Sequence, residues 1–236
     1  LTTRTAVITG GSGGIGIACA AALRDRGYEV VLTARTEATL KAAAAEVGAR
    51  WVVADSADPD QFAEVVQSVE RIDLLVHSAG ILKGTYVRKE RIEDFDEVIR
   101  ANLRSAFVVT QAALPKMGVG GRIVFISSSS SQAGQKGRSA YSASKAGMNA
   151  FAQALTDEVA RDGINVNVLI PAPVATGMLQ EVSFEMHAIQ SKDVADAMLF
   201  LEALDPRVVV PSIAMRAVSE GPLVAGTVIP GRERTS

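Results

Sequence analysis

The sequence predicts an α/β fold, a doubly wound parallel sheet of about seven strands with helices on both faces. Three observations carry this. Short β-branched runs alternate with longer Ala-rich segments of helical period. Several strand-like runs are almost continuously apolar, as expected for strands covered on both faces. A glycine-rich turn joins the first strand-like run to the first helical segment.

The strands are expected at Ala6–Thr9, Glu29–Thr33, Arg50–Val53, Leu74–His77, Arg122–Ile126 and Asn165–Ile170, with a seventh at about Val208–Ala214. Between them, helices are expected at Ile15–Arg26, Glu37–Val47, Pro59–Val69, Ile92–Lys116, Ala140–Arg161 and Asp193–Leu204. Gly27, Gly48 and Gly163 stand where helices should stop, because a left-handed cap favours glycine. No linker-like composition divides the 236 residues, so one domain is expected, with an irregular tail after Ala217.

Composition narrows the function classes. With 24 basic and 26 acidic residues and no long run of either sign, nothing favours nucleic acid or an anionic membrane. Cys19 is the single cysteine, so neither an intramolecular disulfide nor a cysteine-built metal site is possible, and its Ala-rich setting predicts a small core residue. His77 and His187 are the only histidines and lie far apart, so no metal centre is expected. The chain opens directly into a strand, with no targeting segment or membrane-length apolar run in view. A cytoplasmic protein is expected.

The turn Thr9-Gly10-Gly11-Ser12-Gly13-Gly14-Ile15-Gly16 carries the first chemical signal. Gly11, Gly13 and Gly16 fit the general dinucleotide fingerprint of Rossmann-type sheets. Glycine permits the tight turn and lets backbone N–H groups approach a pyrophosphate at a helix N-terminus. The same run also fits a narrower pattern, Thr-Gly-x-x-x-Gly-x-Gly, through Thr9, Gly10, Gly14 and Gly16. A second signal is Tyr141-Ser142-Ala143-Ser144-Lys145, in which i and i+4 side chains share one helical face. Bringing a phenol from its ordinary pKa of about 10 to about 7 requires about 4 kcal/mol, which a close lysine ammonium in a partly desolvated cleft would supply.

Together these motifs resemble the short-chain dehydrogenase/reductase family, and the resemblance runs in order from Thr5 to about Arg216. It implies a nicotinamide-dependent oxidoreductase acting on a carbonyl or secondary alcohol, of the 3-oxoacyl, hydroxy-acid or small-ketone type. A binding-only sensor or scaffold of the same fold is the alternative; such relatives commonly lose the tyrosine or lysine retained here. The family spacing places its serine thirteen residues before the tyrosine, at Ser128, with Ser127 and Ser129 as adjacent alternatives. Asn102 matches the asparagine that holds a water in the family's proton relay. The resemblance thus implies Asn102, Ser128, Tyr141 and Lys145 as catalytic residues.

Cofactor contacts are implied at Gly10, Ser12, Gly13, Gly14, Ile15 and Gly16, at Asp55 (toward the adenine) with Ser56, and at Ala79 and Gly80. Ser78-Ala79-Gly80 stands where the family usually has Asn-Ala-Gly, which predicts one weakened backbone-stabilising hydrogen bond. Tyr141 and Lys145 are implied to touch the cofactor too, as are Pro171, Val174 and Thr176 in Pro171-Ala172-Pro173-Val174-Ala175-Thr176. After the second strand the sequence reads Thr33-Ala34-Arg35-Thr36, with no carboxylate for a ribose hydroxyl until Glu37. Arg35 offers a cationic fork for a 2′-phosphate, which favours NADP(H) and leaves NAD(H) possible.

Substrate choice is expected in the short segment Gly177–Ser191, where Met178, Leu179, Val182, Phe184 and Met186 suggest either an apolar lid or simple core cover. The usual family C-terminal ending is absent. Pro206–Arg216 instead resembles the last strand of NADP-dependent hydroxy-acid dehydrogenases. By the same resemblance the two long Ala-rich helices pair between subunits, giving a homotetramer or a homodimer.

Overall fold

The computed structural model describes residues 3–176 and 188–218. Seven parallel strands form one sheet: β1 (Thr5–Thr9), β2 (Glu29–Ala34), β3 (Arg50–Val53), β4 (Leu74–His77), β5 (Arg122–Ile126), β6 (Asn165–Pro171) and β7 (Ser212–Met215). Their spatial order is β3-β2-β1-β4-β5-β6-β7, so the winding reverses between β1 and β4. Side chains alternate between two cores. Val7, Val31, Leu75, Ile123, Phe125, Val166 and Val168 face one side, while Ala6, Ile8, Val30, Leu32, Val76, Val124 and Leu169 face the other.

Helices α3 (Pro59–Gln67), α5 (Ser105–Ala113) and α6 (Ser139–Val159) cover the first face through residues such as Phe62, Val109 and Met148. Helices α1 (Gly14–Asp25), α2 (Glu37–Val47) and α7 (Ser191–Glu202) cover the second through Leu23, Leu40 and Met198. Both faces are therefore dry, which is why the strands read as apolar runs. No helix among the described residues is long and apolar enough to cross a membrane.

Local chemistry explains the boundaries. Gly27, Gly48 and Gly163 have φ of 80°, 66° and 68°, the left-handed geometry that ends a helix. Asp58 caps α3 by accepting from the N–H groups of Asp60 and Gln61, and Pro59 follows it at the first helical position.

Two expectations require correction. The predicted helix Ile92–Lys116 is interrupted: α4 (Ile92–Ile99) passes into a π-helical turn at Arg100–Arg104 before α5 begins, and Leu114–Lys116 is a 3-10 turn. The seventh strand begins later than its valine run suggests. Val208 closes a turn on the Asp205 carbonyl, Val208 and Val209 are exposed, and Pro211 has no N–H to give, so pairing with β6 runs only over Ser212–Met215. Residues 177–187, including His187 and the expected substrate lid, lie outside the described residues, as does the tail from 219 onward.

Candidate active site

The strand order reverses where β1 and β4 lie side by side, and the loops leaving their C-terminal ends meet there. Gly10 has φ of 67°, and a Cβ on it would lie 2.8 Å from the Ala79 nitrogen. A Cβ on Gly16 would lie 2.4 Å from the Gly10 carbonyl oxygen, so the first turn of α1 packs directly on the loop. Gly13 is the N-cap of α1 and supplies no side-chain cap, which leaves the first N–H groups of the helix free to receive an anion.

These loops bound a cleft of about 420 Å³. Of the residues expected at the cofactor, Gly10, Ser12, Gly13, Gly14 and Ile15 line one wall. Arg35, Asp55 and Ser56 also line it, as do Ala79 and Gly80 next to Gly10 and Thr176 next to Gly14. Gly16 supports the loop from beneath rather than lining the cleft. Pro171 is buried at the end of β6, and Val174 is buried in a bridge to Ile189, which carries Thr176 to the mouth. A dinucleotide fits this frame: uncapped helix N–H groups stand at its centre and an exposed guanidinium at one end.

The electrostatics at that end are specific. Burial pushes the Asp55 carboxyl up. The Ala57 N–H at 2.9 Å, the Arg100 guanidinium at 2.8 Å and the Arg35 charge outweigh this and hold it below the ordinary carboxylate value. Arg35 itself has no ion-pair partner among the described residues.

The Ser78-Ala79-Gly80 turn is held from β1. Ala79 N–H donates to Thr9 Oγ1 at 3.2 Å, and Thr9 Oγ1 lies 2.8 Å from His77 Nδ1. On the other side of the ring, Nε2 is 3.2 Å from Ser105 Oγ, whose proton goes to the Ala101 carbonyl. Ser105 must therefore accept, so the neutral ring carries its proton on Nε2 and accepts from Thr9 at Nδ1. Burial, with the Lys145 charge nearby, lowers the His77 pKa to about 3.

Asn102 projects from the π-helical turn into the interior, fully buried. Its Oδ1 accepts from Ile81 N–H, and its Nδ2 donates to the Ile81 carbonyl and to Ser144 Oγ. Ser144 in turn donates to the Tyr141 carbonyl at 2.7 Å, tying Asn102 to α6. A Cβ on Gly80 would press on Asn102 Oδ1 at 3.0 Å and reach ordinary contact with Lys145 Nζ at 3.6 Å, so glycine here leaves the Asn102 amide undisturbed.

Lys145 is buried, donates to the Ile126 carbonyl at 2.8 Å, and has a pKa lowered by that burial to about 8. Its Nζ lies 6.0 Å from the Tyr141 ring centroid. Tyr141 departs from expectation. Burial raises its pKa, and the opposing influences come from the Ser128 hydroxyl and the Arg138 charge, with none from Lys145. The lysine gives one of its three N–H donors to a backbone carbonyl, and burial of the phenol outweighs the groups that oppose it.

Among the three candidate serines, Ser127 is buried with its hydroxyl bonded to Asn149 and Ser129 opens a 3-10 turn, leaving Ser128 beside Tyr141. Sequence reasoning missed Ile81, Ser144, His77 and Asn149 as parts of this arrangement. Each makes a contact with an element distant in sequence, and although Ser144 sits within the Tyr141–Lys145 run, nothing local marks that contact.

The family model for short chain dehydrogenase matches residues 4–186. The chain belongs to the short chain dehydrogenase family. It is thereby an oxidoreductase of the kind that moves hydride between a nicotinamide dinucleotide and a carbonyl or alcohol carbon. The chain is 35% identical over 216 residues to the 3-oxoacyl-(acyl-carrier-protein) reductase FabG of Rickettsia bellii, covering 85% of this chain and 90% of that protein. It is 37% identical over 195 residues to the acetoacetyl-CoA reductase of Cupriavidus necator, with coverage of 77% and 79%. Among solved structures, BdcA in complex with NADPH is similar with a TM-score of 0.84 at 28% identity, covering 92% of this chain and 94% of that one.

Proposed function

We propose that this oxidoreductase is an NADP(H)-dependent reductase of 3-oxoacyl thioesters or closely related ketones. The observation that carries the reaction type is the meeting of Tyr141, Ser128 and Lys145 beside a glycine-walled cleft at the reversal of strand order. The cofactor preference rests on Arg35, which lines that cleft just after β2, where the sequence offers no carboxylate until Glu37. The substrate class rests on the two curated relatives, whose names both specify a 3-oxoacyl group on a thioester carrier.

In this reading the glycine loop and the N-terminus of α1 hold the pyrophosphate, Arg35 the 2′-phosphate, and Thr176 with Val174 the nicotinamide end. The cofactor, when bound, supplies hydride to the carbonyl carbon or takes it back. The chain handles the oxygen. Ser128 donates a hydrogen bond to it, Tyr141 gives it a proton, and Lys145 provides a buried cation beside the phenol and cofactor. Asn102 holds the Ile81 backbone and, through Ser144, the helix that carries Tyr141. We further propose a cytoplasmic enzyme that assembles as a homodimer or homotetramer, with α4, α5 and α6 at subunit contacts. Exposed Ile92 and Phe107 on α4 and α5 support that placement.

The experiment is an absorbance assay of acetoacetyl-CoA, ethyl acetoacetate and a panel of simple ketones with NADPH and NADH in parallel. Fastest turnover of acetoacetyl-CoA with NADPH is expected. Turnover confined to simple ketones would reject the thioester assignment, and a preference for NADH would reject the cofactor assignment. Light scattering that returns a stable monomer at micromolar concentration would reject the assembly.

A further inference from the structure

The loop after β5 contains five consecutive serines, Ser127–Ser131, which should be pliable on composition alone. In the fold one amide grips both ends of it. Ser127 Oγ donates to Asn149 Oδ1 at 2.6 Å, and Asn149 Nδ2 donates to Ser131 Oγ at 2.8 Å. Ser131 then donates its proton to the Ser128 carbonyl at 2.6 Å. Ser128 Oγ accepts from the Ser130 N–H at 3.2 Å, so its own proton is not spent in this network.

The direction of every bond in this chain is set. Ser131 has one proton, and the Ser128 carbonyl can only accept, so Ser131 must accept from Asn149. Asn149 then has its carbonyl oxygen left for the Ser127 proton. Only a group that accepts at one end and donates at the other completes the chain. An amide does this at any pH; a carboxylate does not, and a carboxylic acid does. Asn149 also stands four residues beyond Lys145 and eight beyond Tyr141 on α6, on the same helical face. The helix that carries the phenol thus also fixes the loop that carries the serine.

We infer that Asn149 is a positioning residue for the reaction, holding the Ser128 hydroxyl in register with Tyr141 across the gap between β5 and α6. The inference rests on the reading of Ser128 and Tyr141 as the pair that acts on the substrate oxygen. Asn149 touches neither substrate nor cofactor in this role. Its loss therefore lowers kcat and leaves the affinity for NADPH as it was.

The test uses acetoacetyl-CoA as the probe, with the full-length protein, NADPH, and the variants Asn149→Leu, Asn149→Asp, Ser128→Ala and Ser128→Ala/Asn149→Leu. Asn149→Leu is expected to lower kcat at least tenfold with the NADPH Kd within twofold of wild type. In the Ser128→Ala background the same change is expected to alter kcat less than twofold, because the hydroxyl it positions is gone. Asn149→Asp is nearly isosteric and guards against a variant that fails to fold. Its kcat relative to wild type is expected to recover at least fivefold between pH 8 and pH 5, as the protonated acid regains the donor. A purely structural asparagine would show neither the non-additivity nor that pH-dependent rescue. If Ser128→Ala is impaired but Asn149→Leu keeps kcat within twofold, or the Asp variant stays flat with pH, the positioning role is overturned. If Ser128→Ala itself keeps kcat within twofold, the reading of Ser128 fails and takes this role with it.

Discussion

Asn102 grips Ile81 by both of its backbone groups, accepting its N–H at 2.7 Å and donating to its carbonyl at 3.0 Å. The loop leaving β4 is thereby fixed to the π-helical turn and, through Ser144, to the helix of Tyr141. Sequence similarity suggested a water-holding role for this asparagine. Its geometry assigns its amide first to holding protein in place.

Asn102→Ala should therefore cost stability as well as activity. It strands Ile81 N–H and C=O, and roughly 2–4 kcal/mol is expected for losing two or three buried bonds with their partners left unpaired. Urea denaturation at pH 7 reads this directly. A loss under about 0.5 kcal/mol, the usual scale of a surface change, would show that the grip is not significant in solution.

Arg35 lies close enough to Asp55 to help hold that carboxyl ionised, which puts its charge at the end of the cleft where the proposed reading places the 2′-phosphate. Arg35→Asp places a second carboxylate where a 2′-phosphate would sit. NADPH binding should weaken by at least about tenfold, equivalent to about 1.4 kcal/mol, with little change for NADH. The difference should shrink in high salt, since Arg35 is exposed. Fluorescence titration with both cofactors at two ionic strengths checks the point, and an unchanged NADPH affinity would remove Arg35 from the site.

Much of this arrangement is written locally in the chain. Strands β3, β4 and β5 coincide with their apolar runs, and the caps at Gly27, Gly48 and Gly163 follow from a conformation that glycine tolerates. The motifs around Gly10, Tyr141 and Lys145 are short and contiguous, so they are legible too. The π-helical turn at Arg100–Arg104 is not, because the one-position register shift it introduces is hidden in the densely apolar run Ala106–Leu114 that follows. It carries the long-range contact of Asn102 with Ile81. The Tyr141 pKa was also illegible. Spacing puts Lys145 on the same face, but only the fold shows its ammonium bonded to Ile126.

His77 makes acid stability a test of the buried network. Its folded pKa of about 3 lies below the ordinary value of 6.5, so as pH falls through 6.5 the unfolded chain takes up a proton that the folded chain refuses. Stability is fully present above pH 6.5 and falls between 6.5 and 3, by about 2 kcal/mol at pH 5. His77→Asn has no such proton to take up, so its own loss between pH 7 and pH 5 should be smaller by about that amount. Parallel denaturation curves at the two pH values decide it; equal losses would mean that the ring is accessible to protons when folded.

Lys145 follows the same charge logic at higher pH. Its folded pKa of about 8 lies below the ordinary 10.5, so charging it in the folded protein is unfavourable. That cost is absent above pH 10.5, grows as pH falls through the window, and is complete below 8, where it reaches roughly 3 kcal/mol. Lys145→Met removes it but also loses the charge-assisted bond to the Ile126 carbonyl, about 1.5–3 kcal/mol. The variant should be at least as stable as wild type at pH 7, by up to about 1.5 kcal/mol, with any advantage gone near pH 10. A variant destabilised at pH 7 would show that the buried ammonium is well compensated.

The phenol itself gives the sharpest test. In the protein alone, burial raises the Tyr141 pKa above its ordinary value, and Ser128 and Arg138 only partly offset this. A raised pKa keeps the proton on Tyr141 at neutral pH, as a group that must donate it to a carbonyl oxygen requires. Tyr141→Phe keeps the ring and its packing and removes only the hydroxyl. The fold and the NADPH Kd should survive, while kcat for reduction falls by about 10²–10⁴, the usual worth of a positioned general acid. Circular dichroism, cofactor titration and steady-state kinetics on one preparation separate the three readouts. A Phe variant with near-native kcat on a substrate that wild type reduces would mean that the proton comes from elsewhere, and Tyr141 would lose its place in the mechanism.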